Sequence, residues 1–231
     1  MANRPIFIAE SGGKNSVRVQ SVEFRWHAGM AMSRRQMSMR SLHQAAQSLH
    51  PKARILEVSR MSDNPLGEQL SAFNLTLNYA MQALEVPVEC AFQSSKVFER
   101  GGPFLDLLKV SPVDAKRDPR LQQSGRLTGF HFDGEAWPNE PLTAFYDWLY
   151  INALSGKKRL ADEVLQYDIF TDIAFNPGKS INCQAGAVAL FVALVRRGEF
   201  DAALSSREAF LKVESNATVH EDGQRVQGSL F

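Results

Sequence analysis

Residues 184–195 read QAGAVALFVALV, with one polar side chain in twelve and no charge. A helix of that composition has no face to turn to water, so it must be buried on all sides. The run is also far short of the roughly 18 residues needed to span a membrane. The rest of the chain therefore has to wall it in. With 231 residues, 44% hydrophobic and 22% charged, the chain is long enough to do so as one large globular domain.

Net charge is +1, from 26 Lys+Arg against 25 Asp+Glu, so no global field attracts nucleic acid or an anionic membrane, and any DNA contact must be local. Cys90 and Cys183 lie far apart, without a CxxC pattern or a neighbouring His, and read as buried free thiols. His27, His43, His50, His131 and His220 have no metal-ligand spacing, so neither metal nor cofactor is expected. MANRPIFIAESGG lacks the apolar stretch of a signal peptide, which points to a cytoplasmic protein with no membrane partner.

Alternating β-formers in RPIFIAE and SVRVQSVEFRW, separated by Gly12 and Gly13, predict a hairpin. Residues 33–49 change to helical spacing, with Ser33 as N-cap and a basic, solvated face, and end before Pro51. A strand at 53–59 runs into the turn-prone SRMSDNPLGEQLS, and a new segment opens at residue 72. VPVECAFQSSKVFE is expected to be helical up to Gly101, Gly102 and Pro103, followed by a helix that starts at the Ser-Pro of SPVDAKR. RLTGFHFDGEAW contains the Asp-Gly turn of a small hairpin. Two helices broken near Ser155-Gly156, the apolar helix and one near AALSSREAFLKV complete the pattern. The expected architecture is a predominantly helical α+β single domain over 1–214, with 1–52 as hairpin and helix extension, 53–214 as its core, and 215–231 as a flexible tail.

Three constellations carry chemistry. If residues 88–98 are helical, Glu89, Gln93 and Lys96 at i, i+4 and i+7 form one polar stripe beside Phe92, Val97 and Phe98. Such a stripe is either a solvated face or, if buried, a group that persists only with a partner or a function. In QYDIFTDIAFNPGKSINCQAGA, Asp168 and Asp172 precede an Asn-Pro-Gly turn, and Asn182 and Gln184 lead into the apolar helix. An amide there is either a helix cap or part of a small-molecule site. Lys116, Arg117 and Arg120 near a helix start are either a solvated charge run or a diphosphate receptor. GxGxxG, P-loop, HExxH and GxSxG signatures are absent.

In order, ILEVSRMSDNPLGEQLSAFNL, VECAFQSSKVF, SPVDAKRDPR and INCQAGAVALFVALVRR resemble the NADAR superfamily (YbiA-like proteins) over residues 53–197. With the leading hairpin and the phrases AFYDWLYINAL and YDIFTDIAFNPGKSINCQA, the chain is similar to the NADAR antitoxins paired with DarT-type ADP-ribosyltransferase toxins. The resemblance implies an N-glycosidase that removes ADP-ribose from guanine bases of DNA, with the cognate DarT-type toxin as partner and ADP-ribose as product. Glu89 falls on the glutamate of the SEHxFQ motif, Gln93 on its glutamine, and Lys96 on the lysine of KF. The SNF motif is SAFN here, bearing on Ser71, Phe73 and Asn74, and the usual His after the glutamate is Cys90. The tryptophan associated with the site is Trp137 or Trp148.

On that reading Glu89 stabilises oxocarbenium charge or activates water, and Asp172 protonates the departing guanine. Lys96 is either the nucleophile of a Schiff-base route or the partner of Glu89. Phe73, Phe92 or a tryptophan stacks on a base, Arg60, Lys116 and Arg117 hold the diphosphate, and Asn182 contacts substrate. The near-neutral chain favours a small ribosylated metabolite, the DNA reading holding for a single-stranded target whose ADP-ribose is what the pocket reads, and a non-catalytic antitoxin that binds its toxin is the reading from another class.

Overall fold

The computed structural model describes residues 1–178 and 180–220, and of Asn216, Val219 and His220 the backbone alone. Strand β1 (Ala2–Ala9) pairs antiparallel with β2 (Val17–Phe24), as the alternating sequence predicts. On its other side β1 pairs antiparallel with β9 (Ile169–Thr171), which runs parallel to β3 (Ile55–Glu57). A last strand, β10 (Thr218–His220), lies parallel to β2, giving one five-stranded sheet in the order β10-β2-β1-β9-β3.

Both faces of this sheet are covered. Ile6 and Ile8 join Val22, Phe24 and Ile169 against Met39, Leu42 and Ala46 of α1 (Met32–Leu49). Phe7, Ala9, Val17 and Val19 point the other way, into the main core around α8 (Gln184–Arg196). That double burial explains why IFIA reads as a continuous apolar run rather than as an alternation. The apolar helix is central as expected, packed between the sheet and α6 (Ala144–Ser155), with α7 (Lys158–Val164) following the break at Ser155-Gly156. Beyond α6 lie the hairpin of β4 (Thr76–Tyr79) and β5 (Leu84–Pro87), and a sheet of β6 (Lys96–Phe98), β7 (Leu127–Phe132) and β8 (Glu135–Pro138). Asp133 and Gly134 take positive φ of 48° and 88° at the β7–β8 turn, as their dipeptide predicts. Among the described residues no helix is long and apolar enough to cross a membrane.

The chain is α+β, with helices and sheets mixed and the five-stranded sheet covered on both faces. Ser33 lies inside α1, whose N-cap is Ala31 without a side-chain hydrogen bond. The turn-prone stretch contains a short helix, α2 (Pro65–Gln69), capped by Asn64, whose side chain accepts from the Leu66 N–H at 2.9 Å. Residues 215–217 complete α10 (Arg207–Ala217) and 218–220 form β10, so the expected tail does not begin at 215, and its residues 221–231 lie outside the described residues. The helix expected over 86–99 is only α3 (Val88–Ser94). The Ser94 and Ser95 hydroxyls both donate back to the Ala91 carbonyl, at 3.0 and 2.6 Å, and the β-formers that follow pair with β7.

Candidate active site

Glu89 sits in the first turn of α3 and is 4% exposed. Its N–H donates to the Ala72 carbonyl at 2.9 Å, and the Gln93 amide donates to its Oε1 at 2.8 Å, the i, i+4 contact foreseen from the sequence. Lys116, on α4 (Pro112–Arg117), places Nζ 3.5 Å from the same oxygen, while its own side chain is 57% exposed. Ser111 caps α4 by accepting from the Asp114 N–H at 3.2 Å, as the Ser-Pro start predicts.

Lys96 reaches this group by another route than helical spacing. It opens β6 opposite Phe130, and its ammonium lies 4.7 Å from the Phe92 ring centroid. Gly102, at φ +85°, keeps the strand in place, because a Cβ there would stand 2.1 Å from the Lys96 carbonyl oxygen. Burial pushes the Lys96 amine down to about 8, with Glu89 opposing the shift and Lys116 adding to it. Phe73 carries two cations on its ring, Arg60 at 4.3 Å and Lys116 at 5.3 Å. One connected group thus runs from Arg60 through Phe73 and Lys116 to Glu89 and Gln93, with Lys96, on the Phe92 ring, within reach of the Glu89 charge.

Ser71 and Asn74 shape the loop that presents Phe73. The Ser71 hydroxyl accepts from the Phe73 N–H at 3.4 Å, the Asn74 amide donates to the Glu68 carbonyl at 2.8 Å, and the Tyr150 hydroxyl donates to the Leu70 carbonyl. Asp172 joins the site indirectly. Its Oδ1 accepts from the Ala174 and Phe175 N–H groups, and its Oδ2 accepts from Gln184 Nε2 at 2.9 Å. Gln184 Oε1 in turn accepts from the Ala72 N–H at 2.8 Å, the residue whose carbonyl receives Glu89.

Several candidates stand apart. Arg117 is exposed at the end of α4, and Arg120 is held by Asp106 and Asp118. Asp168 binds the Arg54 N–H and Arg196. Asn182 is not the cap of α8, which is Cys183, and the Asn182 Oδ1 is buried without a hydrogen-bond partner. Trp137 and Trp148 pack on each other at 4.7 Å and both on Phe145, which separates them from Phe92.

Three further residues escape sequence reasoning, one against Phe92 and two in a buried cluster behind Asp172. Tyr146 packs edge-on to Phe92 at 5.0 Å, its hydroxyl raised well above the usual range by burial and then by Glu89. Glu57, 1% exposed, accepts from Ser59 and Thr171, each at 2.6 Å, and from the Ile173 N–H at 2.9 Å. Burial and then Asp172 push it up to about 8, and burial raises Asp172 to about 6. His43 completes the cluster 2.8 Å from Thr171 Oγ1, lowered to about 4 by burial. The i, i+4 amide pair was a readable signal for Glu89 and Gln93; these three had none.

This α+β domain thus buries a carboxylate with an amide and an amine against it and aromatic rings nearby, a setting in which functional groups are often found. The family model for DarT1-associated NADAR antitoxins matches residues 2–224, and the chain belongs to that family. No curated protein matches it in direct comparison.

Proposed function

We propose that the protein reverses the modification made by a DarT-type toxin by hydrolysing the N-glycosidic bond between ADP-ribose and the exocyclic amine of guanine in DNA. The observation that carries this reading is the buried Glu89 with Lys116 at 3.5 Å and the depressed amine of Lys96 beside it. Membership of an antitoxin family supplies the biological setting.

A carboxylate held among amines and away from water is suited to stabilising the oxocarbenium character that develops as the bond breaks. An amine at about 8 is free in roughly one molecule in ten at pH 7, enough for a nucleophile. Its lone pair attacks the anomeric carbon, the bonding electrons leave with the guanine amine, and that amine takes up a proton. The resulting glycosylamine opens to an imine, to which water adds, releasing ADP-ribose and Lys96. Lys116 and Arg60 bind the diphosphate and Phe73 stacks on a base, and moving Lys116 onto the diphosphate uncovers Glu89. Every contact of the Asp172 carboxylate is with an N–H donor, which suits an anion that positions Gln184 more than the proton donor expected from sequence.

The test is incubation of the parent protein, Lys96→Ala and Glu89→Ala with guanine-ADP-ribosylated single-stranded DNA, reading released ADP-ribose by mass spectrometry with and without borohydride. The reading expects release by the parent, loss of about 100-fold or more in each variant, and a borohydride-trapped adduct that requires Lys96. The near-neutral charge of +1 favours a small ribosylated metabolite as the second substrate reading. Release from such a nucleoside but not from DNA would establish it. Retained toxin neutralisation by both inactive variants would instead support an inhibitor that acts by binding.

A further inference from the structure

The small net charge hides a segregation. Residues 24–56 hold six Lys/Arg and no Asp or Glu, so a chain of net +1 carries +6 in these 33 residues and −5 in the rest. The densest part is the connection from β2 into α1. Arg25 and Arg34 are exposed, Arg35 is half-exposed, and among the described residues none of the three enters an ion pair. Arg40, farther along the same stretch, is held by Asp63, and elsewhere Arg126 pairs with Glu99, Arg159 with Glu163, Arg197 with Glu199 and Arg207 with Glu208, so the three unpaired arginines concentrate at the β2–α1 connection.

Apolar side chains are interleaved with these cations. Trp26 is 38% exposed, with the Arg4 guanidinium 5.4 Å from its ring centroid, and Met30 is 86% exposed on the same connection. The side chain of Arg34 packs back onto Gly29, where a Cβ would meet its Cγ at 3.1 Å. The indole, edge-on to Phe24 at 6.2 Å, keeps part of its ring exposed, and with Arg25 beside it in sequence and Arg34 and Arg35 at the start of α1 the connection offers a stacking surface for an unstacked base and charges for the backbone. An acidic protein surface would satisfy the charges, but it would leave the exposed indole without a flat π-partner.

We propose that this β2–α1 surface binds a single-stranded nucleic acid through its phosphates and one stacked base, at a place separate from the Glu89 site. The inference rests on the DNA reading above only in taking that strand to be the one that carries the modified guanine.

The experiment measures anisotropy of a fluorescein-labelled, unmodified 20-nucleotide DNA strand at 50 and 200 mM NaCl. It compares the full-length parent, an Arg25→Glu/Arg34→Glu/Arg35→Glu variant, and Trp26→Ala. Each protein is also assayed for turnover of ADP-ribosylated guanosine, which cannot span both places. The expected results are binding that weakens with salt, a loss of about 10-fold or more at 50 mM NaCl in the triple variant with a flatter salt dependence, and a loss of about 10-fold in Trp26→Ala. Nucleoside turnover stays at the parent level in both variants. Undiminished DNA binding by the triple variant, or no binding by the parent, overturns the inference. So does selective loss of toxin binding, which would assign the surface to a protein partner. Absence of ADP-ribose release by the parent from both the nucleoside and the modified single-stranded DNA, with the anisotropy result as expected, would sink the enzymatic reading and leave the surface standing.

Discussion

An ordinary lysine keeps its proton throughout the neutral range, whereas Lys96 gives it up near pH 8 because ordering β6 against β7 desolvates the amine. If its free form is the nucleophile, kcat/KM rises tenfold per pH unit on the acid side and levels off above about 8, and Lys96→Arg abolishes both the activity and the rise. A pH–rate profile checks this. Glu57 gives a stability counterpart. A carboxyl raised from 4.5 to about 8 contributes stability that is full below 4.5 and is lost as pH rises through 8. Denaturant unfolding at pH 6 and 9 therefore shows the parent weakening with pH, while Glu57→Gln is little changed at pH 6 and loses less by pH 9. Glu89 and Gln93 were legible from spacing alone, but Glu57 was not. An acid in ARILEVS reads as the wet side of a strand until Thr171, 114 residues on, supplies its hydroxyl.

At the scale of elements, the sequence disclosed what has a period or a long apolar run and hid what has neither. The hairpin and α1 carry a period, and α6 and α8 stand out as long apolar runs, whereas β9 and β10 are three residues each and too short to show either. The 86–99 segment misled because VECAFQS and KVF are contiguous apolar stretches of opposite preference, separated by serine back-bonding at Ala91 and by the Phe104 and His131 N–H groups that bond the Ser94 and Ser95 carbonyls. In the SDNPLGEQL loop, Asn64 and Pro65 marked a helix start that its turn-prone composition concealed. This small helix packs so closely that a Cβ at Gly67 would lie 1.9 Å from the Glu57 carbonyl oxygen. Gly67→Ala is expected to cost about 3 kcal/mol, because it is backbone that must move. Its unfolding midpoint by circular dichroism, against an exposed control such as Gly12→Ala, is the measurement; Gly12 has nothing within 4 Å of such a Cβ.

For the whole molecule, the leading hairpin is no peripheral addition. β1 is the middle strand of the five, and Phe7, Ala9, Val17 and Val19 belong to the same core as Val188 and Leu190 of α8. Deleting residues 1–52 is therefore expected to leave no cooperatively folded remainder, seen as loss of a sharp thermal transition and of soluble yield. Survival of a folded 53–220 fragment would contradict the shared core.

The position of β1 also sets a timetable for the growing chain. Its partner on one side, β2, leaves the ribosome at once, but β9 follows only about 160 residues later. At roughly 5–20 residues per second that is about ten to thirty seconds. For most of that interval the apolar IFIA segment has α1 to cover one face, but one open edge and no α8 to cover the other. An antitoxin built this way protects its cell only from the moment synthesis is nearly finished, and a chain cut short at any earlier point carries an unsatisfied strand edge that marks it for chaperones or proteases.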